Sequence, residues 1–336
     1  MKNFLLNLGL LLTTVILFLG GIELTLRLTG LVHVQPIPPG IYQSANNPQI
    51  SYKLIPNMRR RAFRSTITTN SLGFRGPETD LSEPIIALLG DSITFGYGLE
   101  DTETIPARLQ EHFPQYSVIN AAAPGYNLTQ QTAVYREKIA HLHPAALIII
   151  LHSNDLENGG GKISILDKNG FLRDPAWQGE NHICTPIQQG VLRFISGKCW
   201  LDLHSAFYIA VKKFVNARRG QEYLKEKEEQ AMDQPAQETI TDNDLKIYAE
   251  QLDRLNTLLP LDLSKLFVIW PEWNFHAEVR PKLKEIVRKR GFAVLDLYDH
   301  FGNSPETLGW DTVHPSAKTA AKAAKIIAKE LEKVVH

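Results

Sequence analysis

Cysteine occurs only twice in this 336-residue chain, and neither sign of charge is in excess, with 36 Lys and Arg against 36 Asp and Glu. That balance removes the basic surplus a nucleic-acid-binding chain carries, so no nucleic-acid partner is expected. His112, His141, His143, His204 and His276 are scattered without the spacing of metal ligands, and no metal is expected. "GDSITFGYG" has no Gly-Lys-Ser/Thr ending, which excludes a phosphate loop. No internal repeat is visible. What remains is a globular composition, 43% apolar and 21% charged. It suits one large α/β domain with insertions, or two modest domains.

The first feature present is at the N-terminus. Phe4 to Ile22 are apolar or small apart from Asn7, Thr13 and Thr14. As a helix this run is roughly 28 Å long, close to the thickness of a hydrocarbon core. "LFLGGIELTLRLTG" has no clear small-residue cleavage signal, and no cysteine precedes Cys184, which excludes a lipoprotein anchor. The expectation is an uncleaved transmembrane anchor over residues 1–30; a cleaved signal or a buried core helix are the alternatives. Lys2 on one side and Arg27 and Arg59-Arg60-Arg61 on the other give little orientation. Cys184 and Cys199 lie in one segment, and in an exported chain such a pair closes a disulfide; two unrelated buried thiols are the alternative. Together these place the folded domain outside the cytoplasm, periplasmic or at the cell surface.

Residues 31–82 are rich in Pro, Asn and Gln and read as a linker and edge segment, with "TITTNSLGFRGPE" placed to pair at the edge of the main domain. From residue 83 to 336 strands and helices alternate. Strands are expected at Ile85–Leu89, Ser117–Ala121, Ala146–Leu151, Leu266–Trp270 and Ala293–Leu297. Helices are expected at Thr102–Phe113, Asn127–His141 with an Asn127/Gln130 capping box, Asp242–Leu259, His276–Arg290 and Pro315–Val334. The alternation implies a five-stranded parallel sheet with helices on both faces. A long insertion, 156–240, follows the third strand and contains both cysteines.

Ligands of open parallel sheets bind beyond the carboxyl ends of the strands. Four polar features fall there: Ser92 in "GDSITFG", Gly125 in "AAAPGYN", Asn154 in "HSND", and Asp311 with His314 in "DTVHP". A serine hydroxyl needs a neighbouring base to act as a nucleophile. Histidine supplies one, and a carboxylate fixes its tautomer and steadies the imidazolium. Taken alone, Ser92 is an ordinary turn residue, Asn154 belongs to an Asx turn, and Asp311 caps the last helix. Taken together they make a nucleophile, a base, an orienting acid and oxyanion donors.

The four blocks, in this order and with this punctuation, resemble those of the SGNH (GDSL-type) hydrolase superfamily over roughly residues 83–334, the insertion excepted. The resemblance implies a flavodoxin-like three-layer α/β/α sandwich, with Ser92 as nucleophile, His314 as base and Asp311 as its orienting acid. Ser92, Gly125 and Asn154 would form the oxyanion hole. It implies a serine esterase cutting a small acyl ester, such as acetyl, on a cell-envelope carbohydrate or lipid, without a metal or organic cofactor. The same residues suit an O-acyltransferase acting on cell-surface polysaccharide, and the fold alone suits a non-catalytic envelope assembly protein. The anchor followed by "TNSLGFRGPE" also resembles membrane-tethered bacterial members. One position departs from the pattern: His152 stands where the third block usually has glycine. It either narrows the substrate pocket, adds a hydrogen bond, or marks a different local backbone. Trp270-Pro271-Glu272-Trp273, at the end of strand four, also face the site and are candidates for shaping the acyl or sugar pocket, Trp270 first among them, with packing as the default role. Trp177, Trp200, Phe207 and Tyr208 in the insertion line a site or form a satellite core. Oligomeric state is not legible in the sequence.

Overall fold

A computed structural model describes residues 2–32, 38–156, 162–176, 197, 200–201, 204–215, 218, 240–272 and 276–335. Cys184 and Cys199, with the disulfide expected between them, lie outside the described residues, as does Trp177. The chain divides into two compact units, one of Met1–Pro38 with Trp177–Glu222, the other of Pro39–Ala176 with Tyr223–His336.

In the smaller unit, helix α1 (Lys2–Thr29) is long and apolar enough over Asn3–Thr29 to cross a membrane, and its most apolar window is not buried at all. A signal sequence has the same length and composition. The hydroxyls of Thr13, Thr14 and Thr25 donate to carbonyls four residues back, so these polar groups are satisfied within the helix. The charges at its far end are engaged as well. The Glu23 carboxylate accepts the Ala206 and Phe207 N–H groups, both at 2.8 Å, capping the helix over 206–215. Arg27 donates to Glu23 and to the His204 carbonyl. Val32, Ala206 and Ile209 close a small apolar cluster beside them.

The larger unit is built on β5 (Ile85–Gly90), β6 (Ser117–Asn120), β7 (Ala146–Leu151), β10 (Ser264–Ile269) and β11 (Ala293–Asp296), with the short antiparallel pair β8 (Ile165–Leu166) and β9 (Leu172–Arg173) between β7 and β10 in the chain. They lie in the order β11-β10-β7-β5-β6, and every pairing is parallel. The expected doubly wound α/β/α arrangement is therefore present. Alternate residues feed the two faces. Ala87, Leu89, Leu147, Ile149 and Phe267 pack under α4 (Leu128–Val134), α5 (Asp242–Asn256) and α6 (Val279–Arg288). Ile86, Leu88, Ile148, Ile150 and Val268 pack under α3 (Ile105–His112) and α7 (Ala317–Leu331), where Ala320, Ala323 and Ala324 let the helix approach the sheet closely. Trp270 is 2% exposed in this second layer and packs toward Phe301. The packing role expected of it by default is thus observed, and the side chain also lines a cavity with Ser153, Leu156 and His276.

Two helices differ from expectation. Thr104 is extended and caps α3, with Pro106 in its first turn, so residues 101–103 form a separate 3₁₀ turn. The Asn127/Gln130 capping box starts α4 as expected, but the helix widens to a π turn at Tyr135–Ile139 and ends at a left-handed His143. The last helix is capped by Ser316, which leaves Asp311 free for another role.

Residues 39–82, expected as linker and edge segment, fold within the larger unit. Hairpin β1 (Tyr42–Ser44) with β2 (Tyr52–Leu54) buries Tyr52 completely. Hairpin β3 (Arg59–Ala62) with β4 (Ser65–Thr68) turns through the two residues Phe63 and Arg64, both at positive φ (52° and 64°). Arg75, from the Gly-Phe-Arg-Gly turn, is buried and donates to the carbonyls of Thr66, Phe95, Gly96 and Leu99 and to the Asp101 carboxylate.

Candidate active site

The strand order reverses between β5 and β7, and the loops beyond their carboxyl ends form the crevice such sheets use for ligands. β5 delivers Asp91 and Ser92 through a sharp turn into the four-residue helix α2 (Ser92–Phe95). Glycine is required at position 90, because a Cβ there would collide with the Thr94 side chain and approach the Ile150 carbonyl to 3.0 Å. Asp91 Oδ1 accepts the Ile93 N–H and fixes the turn. Ser92 stands at the first helical position, where an N–H has no intrahelical acceptor.

The sequence "DTVHP" closes over this turn from the other end of the chain. His314 Nε2 lies 2.8 Å from Ser92 Oγ, and His314 Nδ1 lies 2.9 Å from Asp311 Oδ2. Asp311 Oδ1 also accepts the N–H groups of Val313 and His314, so one carboxylate shapes the loop and orients the ring. Partial burial pushes the Asp311 carboxyl up. The hydrogen bonds from the His314 ring and the two backbone donors outweigh that and hold it below its usual range. An ionised Asp311 accepting from Nδ1–H leaves Nε2 as the acceptor of the serine proton.

Gly125 lies in the turn after β6 at φ 79°. Tyr52 fixes this turn by donating to the Pro124 carbonyl at 2.6 Å, and a Cβ at Gly125 would come within 3.0 Å of the Tyr52 hydroxyl. Asn154 sits in the 3₁₀ turn Ser153–Asp155 after β7. Its Nδ2 and Ser92 Oγ are each 3.5 Å from Asp91 Oδ2, so amide and hydroxyl flank one carboxylate oxygen. Behind it Asp155 is buried. Burial, then the nearby Asp91 charge, raise its carboxyl well above the ordinary value, and a hydrogen bond from Gln131 opposes them weakly.

Of the three readings left open for His152, the added hydrogen bond is the one observed. The ring is 7% exposed, its Nδ1 accepts the Asn154 N–H at 3.4 Å, and its Nε2 faces Glu272 Oε2 at 3.4 Å. That pairing requires the Nε2–H tautomer. Glu272 also bonds His276, itself buried. Burial pushes the Glu272 carboxyl up, but His276, His152 and Ser153 together carry it below its ordinary range. Sequence reasoning marks Glu272 only within the run Trp270-Pro271-Glu272-Trp273 at the end of strand four and misses its pairing with His152 and His276, because those partners follow β7 and precede α6.

Aromatic residues wall the other side. Tyr97 stacks on the His314 ring at 4.2 Å between centroids, and Phe63 stacks on Tyr97 at 4.3 Å. Trp310 is tilted toward Tyr97 at 5.9 Å. Within the described residues no group of three His, Cys, Asp or Glu is arranged to hold a metal ion.

No family model and no curated protein matches the chain. Solved structures similar to it include TesA, at 13% identity and TM-score 0.43, covering 74% of this chain and 99% of that one. A lipase/acylhydrolase from Enterococcus faecalis is 13% identical at TM-score 0.42, covering 75% and 97%. The acetylxylan esterase Axe2 from Geobacillus stearothermophilus is 15% identical at TM-score 0.38, covering 74% and 94%. Likenesses of this size carry no functional argument; the side chains around Ser92 do.

Proposed function

We propose that this chain is a serine hydrolase of the SGNH type that cuts a small acyl ester, such as acetyl, on a cell-envelope carbohydrate or lipid. One observation carries the reading. Residues 222 positions apart meet at 2.8 Å, serine hydroxyl to imidazole, with a carboxylate 2.9 Å behind the ring.

In this mechanism Ser92 Oγ attacks the ester carbonyl carbon as its proton passes to His314 Nε2. In this reading the tetrahedral oxyanion is received by the Ser92 and Gly125 N–H groups and the Asn154 amide. Collapse breaks the carbon–oxygen bond, and the alcohol leaves with the proton from His314. Water then attacks the acyl-Ser92 ester with His314 again as base, releasing acid and restoring the serine. Asp311 stays ionised and holds the ring throughout. An acceptor sugar hydroxyl in place of water makes the same cycle an O-acyl transfer. Helix α1 is read as a membrane tether with the catalytic unit on the extracytoplasmic side.

A fluorophosphonate probe tests the reading. Labelling of the full chain that is lost in Ser92→Ala, with acetate released from acetylated envelope glycans, supports it. Acetyl moved to a second sugar without free acetate identifies the transferase. No labelling and no turnover overturn the enzymatic assignment and leave a binding or assembly role.

A further inference from the structure

Four arginines fall within six residues at Arg59, Arg60, Arg61 and Arg64, and among the described residues none of them has a carboxylate partner. The nearby acids are already engaged. Glu100 accepts the Thr66 N–H, while Asp101 accepts the Thr68 N–H and pairs with Arg75. The hairpin thus carries four guanidinium groups that have no ion-pair partner among the described residues, in a chain whose overall charge is zero.

The hairpin tip is also built at a cost. A two-residue turn with both φ values positive ordinarily takes Asn-Gly, yet here it holds Phe63 and Arg64. Bulky residues in the left-handed region persist only where surrounding contacts hold them, and such strain gathers at functional sites. The contacts lead to one place. Phe63 lies on Tyr97, which lies on His314. Arg64 lies 4.5 Å over the Trp310 ring, and Trp310 immediately precedes Asp311. The Arg64 carbonyl further accepts from the Arg61 guanidinium at 3.4 Å. Arg64 is exposed. An exposed guanidinium whose central carbon lies over an indole still offers N–H groups to solvent, and a guanidinium matches a carboxylate or phosphate in bidentate fashion.

We infer that Arg64, held on Trp310 at the rim of the Ser92 site, binds an anionic group on the substrate, so that the preferred ester is carried by a uronate- or phosphate-bearing sugar. This rests on the esterase reading above and adds a substrate class to it. Arg59 and Arg61 extend the positive rim and favour encounter with such a polyanion.

The test compares three acetyl esters with the full chain in neutral detergent: acetylated glucose, acetylated glucuronic acid and acetylated glucose 6-phosphate. Wild type is expected to favour at least one charged ester by about tenfold in kcat/KM, through KM, with the preference falling as salt rises. Arg64→Gln is expected to bring the charged-to-neutral ratio close to one, and Arg64→Lys to keep part of it. The ratio is read within one preparation, so partial unfolding of a variant moves both rates together. Preference for glucuronate alone or for phosphate alone identifies the anion. Turnover of all three esters by wild type without preference, or a ratio that survives Arg64→Gln, overturns the inference and leaves the esterase reading standing. Failure to hydrolyse any ester together with failure of the probe to label Ser92 strikes the esterase reading instead.

Discussion

The Tyr97 ring lies nearly parallel to the His314 imidazole, 4.2 Å away and 24° off plane, on the residue whose Nε2 meets Ser92. The ring is set by two constraints: the Asp311 hydrogen bond at its edge and Tyr97 at its face. Stacked pairs contribute about 0.5–1.5 kcal/mol beyond their buried area. Tyr97→Ala should therefore slow kcat and probe labelling by roughly 2- to 10-fold, with KM moving less. Tyr97→Phe should stay near wild type, since the face remains. A Phe variant as slow as the Ala variant would assign the effect to the hydroxyl and dismiss stacking.

Asn154 is held from behind by the chain Glu272–His152–Asn154. Removing one oxyanion donor typically costs 10²–10³ in kcat, so Asn154→Ala should lose about that much. His152→Ala frees the Asn154 N–H and should lower kcat by a smaller factor, leaving KM nearly unchanged. If His152 acts through Asn154, the double variant is no worse than Asn154→Ala alone. Losses that multiply in the double variant would show that His152 acts independently of the amide.

These two relationships differ in how far they could be read before folding. Strands β5 and β7 are legible because a strand buried on both faces must be apolar throughout, and "ALIIIL" and "IIALL" are. Ser92, Gly125, Asn154, Asp311 and His314 are legible because each follows such a strand or precedes a helix, where local spacing alone marks a turn. The histidine partners of Glu272, the role of Tyr97 and the β3–β4 tip are not. Their partners come from other strands, and nothing local distinguishes a glutamate that meets two histidines from one facing water. Glu23 is a similar case: nothing local to it foretells the N–H groups of residues 206 and 207 that its carboxylate accepts. Trp270 shows both of the roles a strand end allows, since it is buried in the core and lines a cavity with Ser153.

Arg75 connects the edge segment to the Ser92 turn. Its guanidinium is enclosed and reaches the carbonyls of Phe95 and Gly96, which end helix α2, as well as those of Thr66 and Leu99. Burial lowers its pKa, while Asp101 opposes the shift. Breaking a buried, hydrogen-bonded pair typically costs about 3–5 kcal/mol. Arg75→Met should destabilise the larger unit by that order in urea unfolding. Arg75→Lys should rescue little, because a single ammonium cannot serve four carbonyls and a carboxylate. Full stability in the Lys variant would reduce Arg75 to a point charge.

Asp155 gives the larger unit a pH dependence of definite sign. Its folded carboxyl titrates well above the ordinary value of 3.8, because burial and the Asp91 charge disfavour ionisation. A group raised on folding contributes stability that is fully present below its unfolded pKa and is lost as pH rises through its folded one. Asp155→Asn keeps the shape and carries no charge at any pH. Its urea midpoint should match that of wild type near pH 4 and exceed it by pH 8, the gap opening as wild-type Asp155 is driven toward ionisation. Above the folded pKa the gap should stop growing. A gap that is constant with pH would mean the aspartate contributes packing alone, and a gap that opens toward acid would require Asp155 to be ionised in the folded chain and stabilised by a cation.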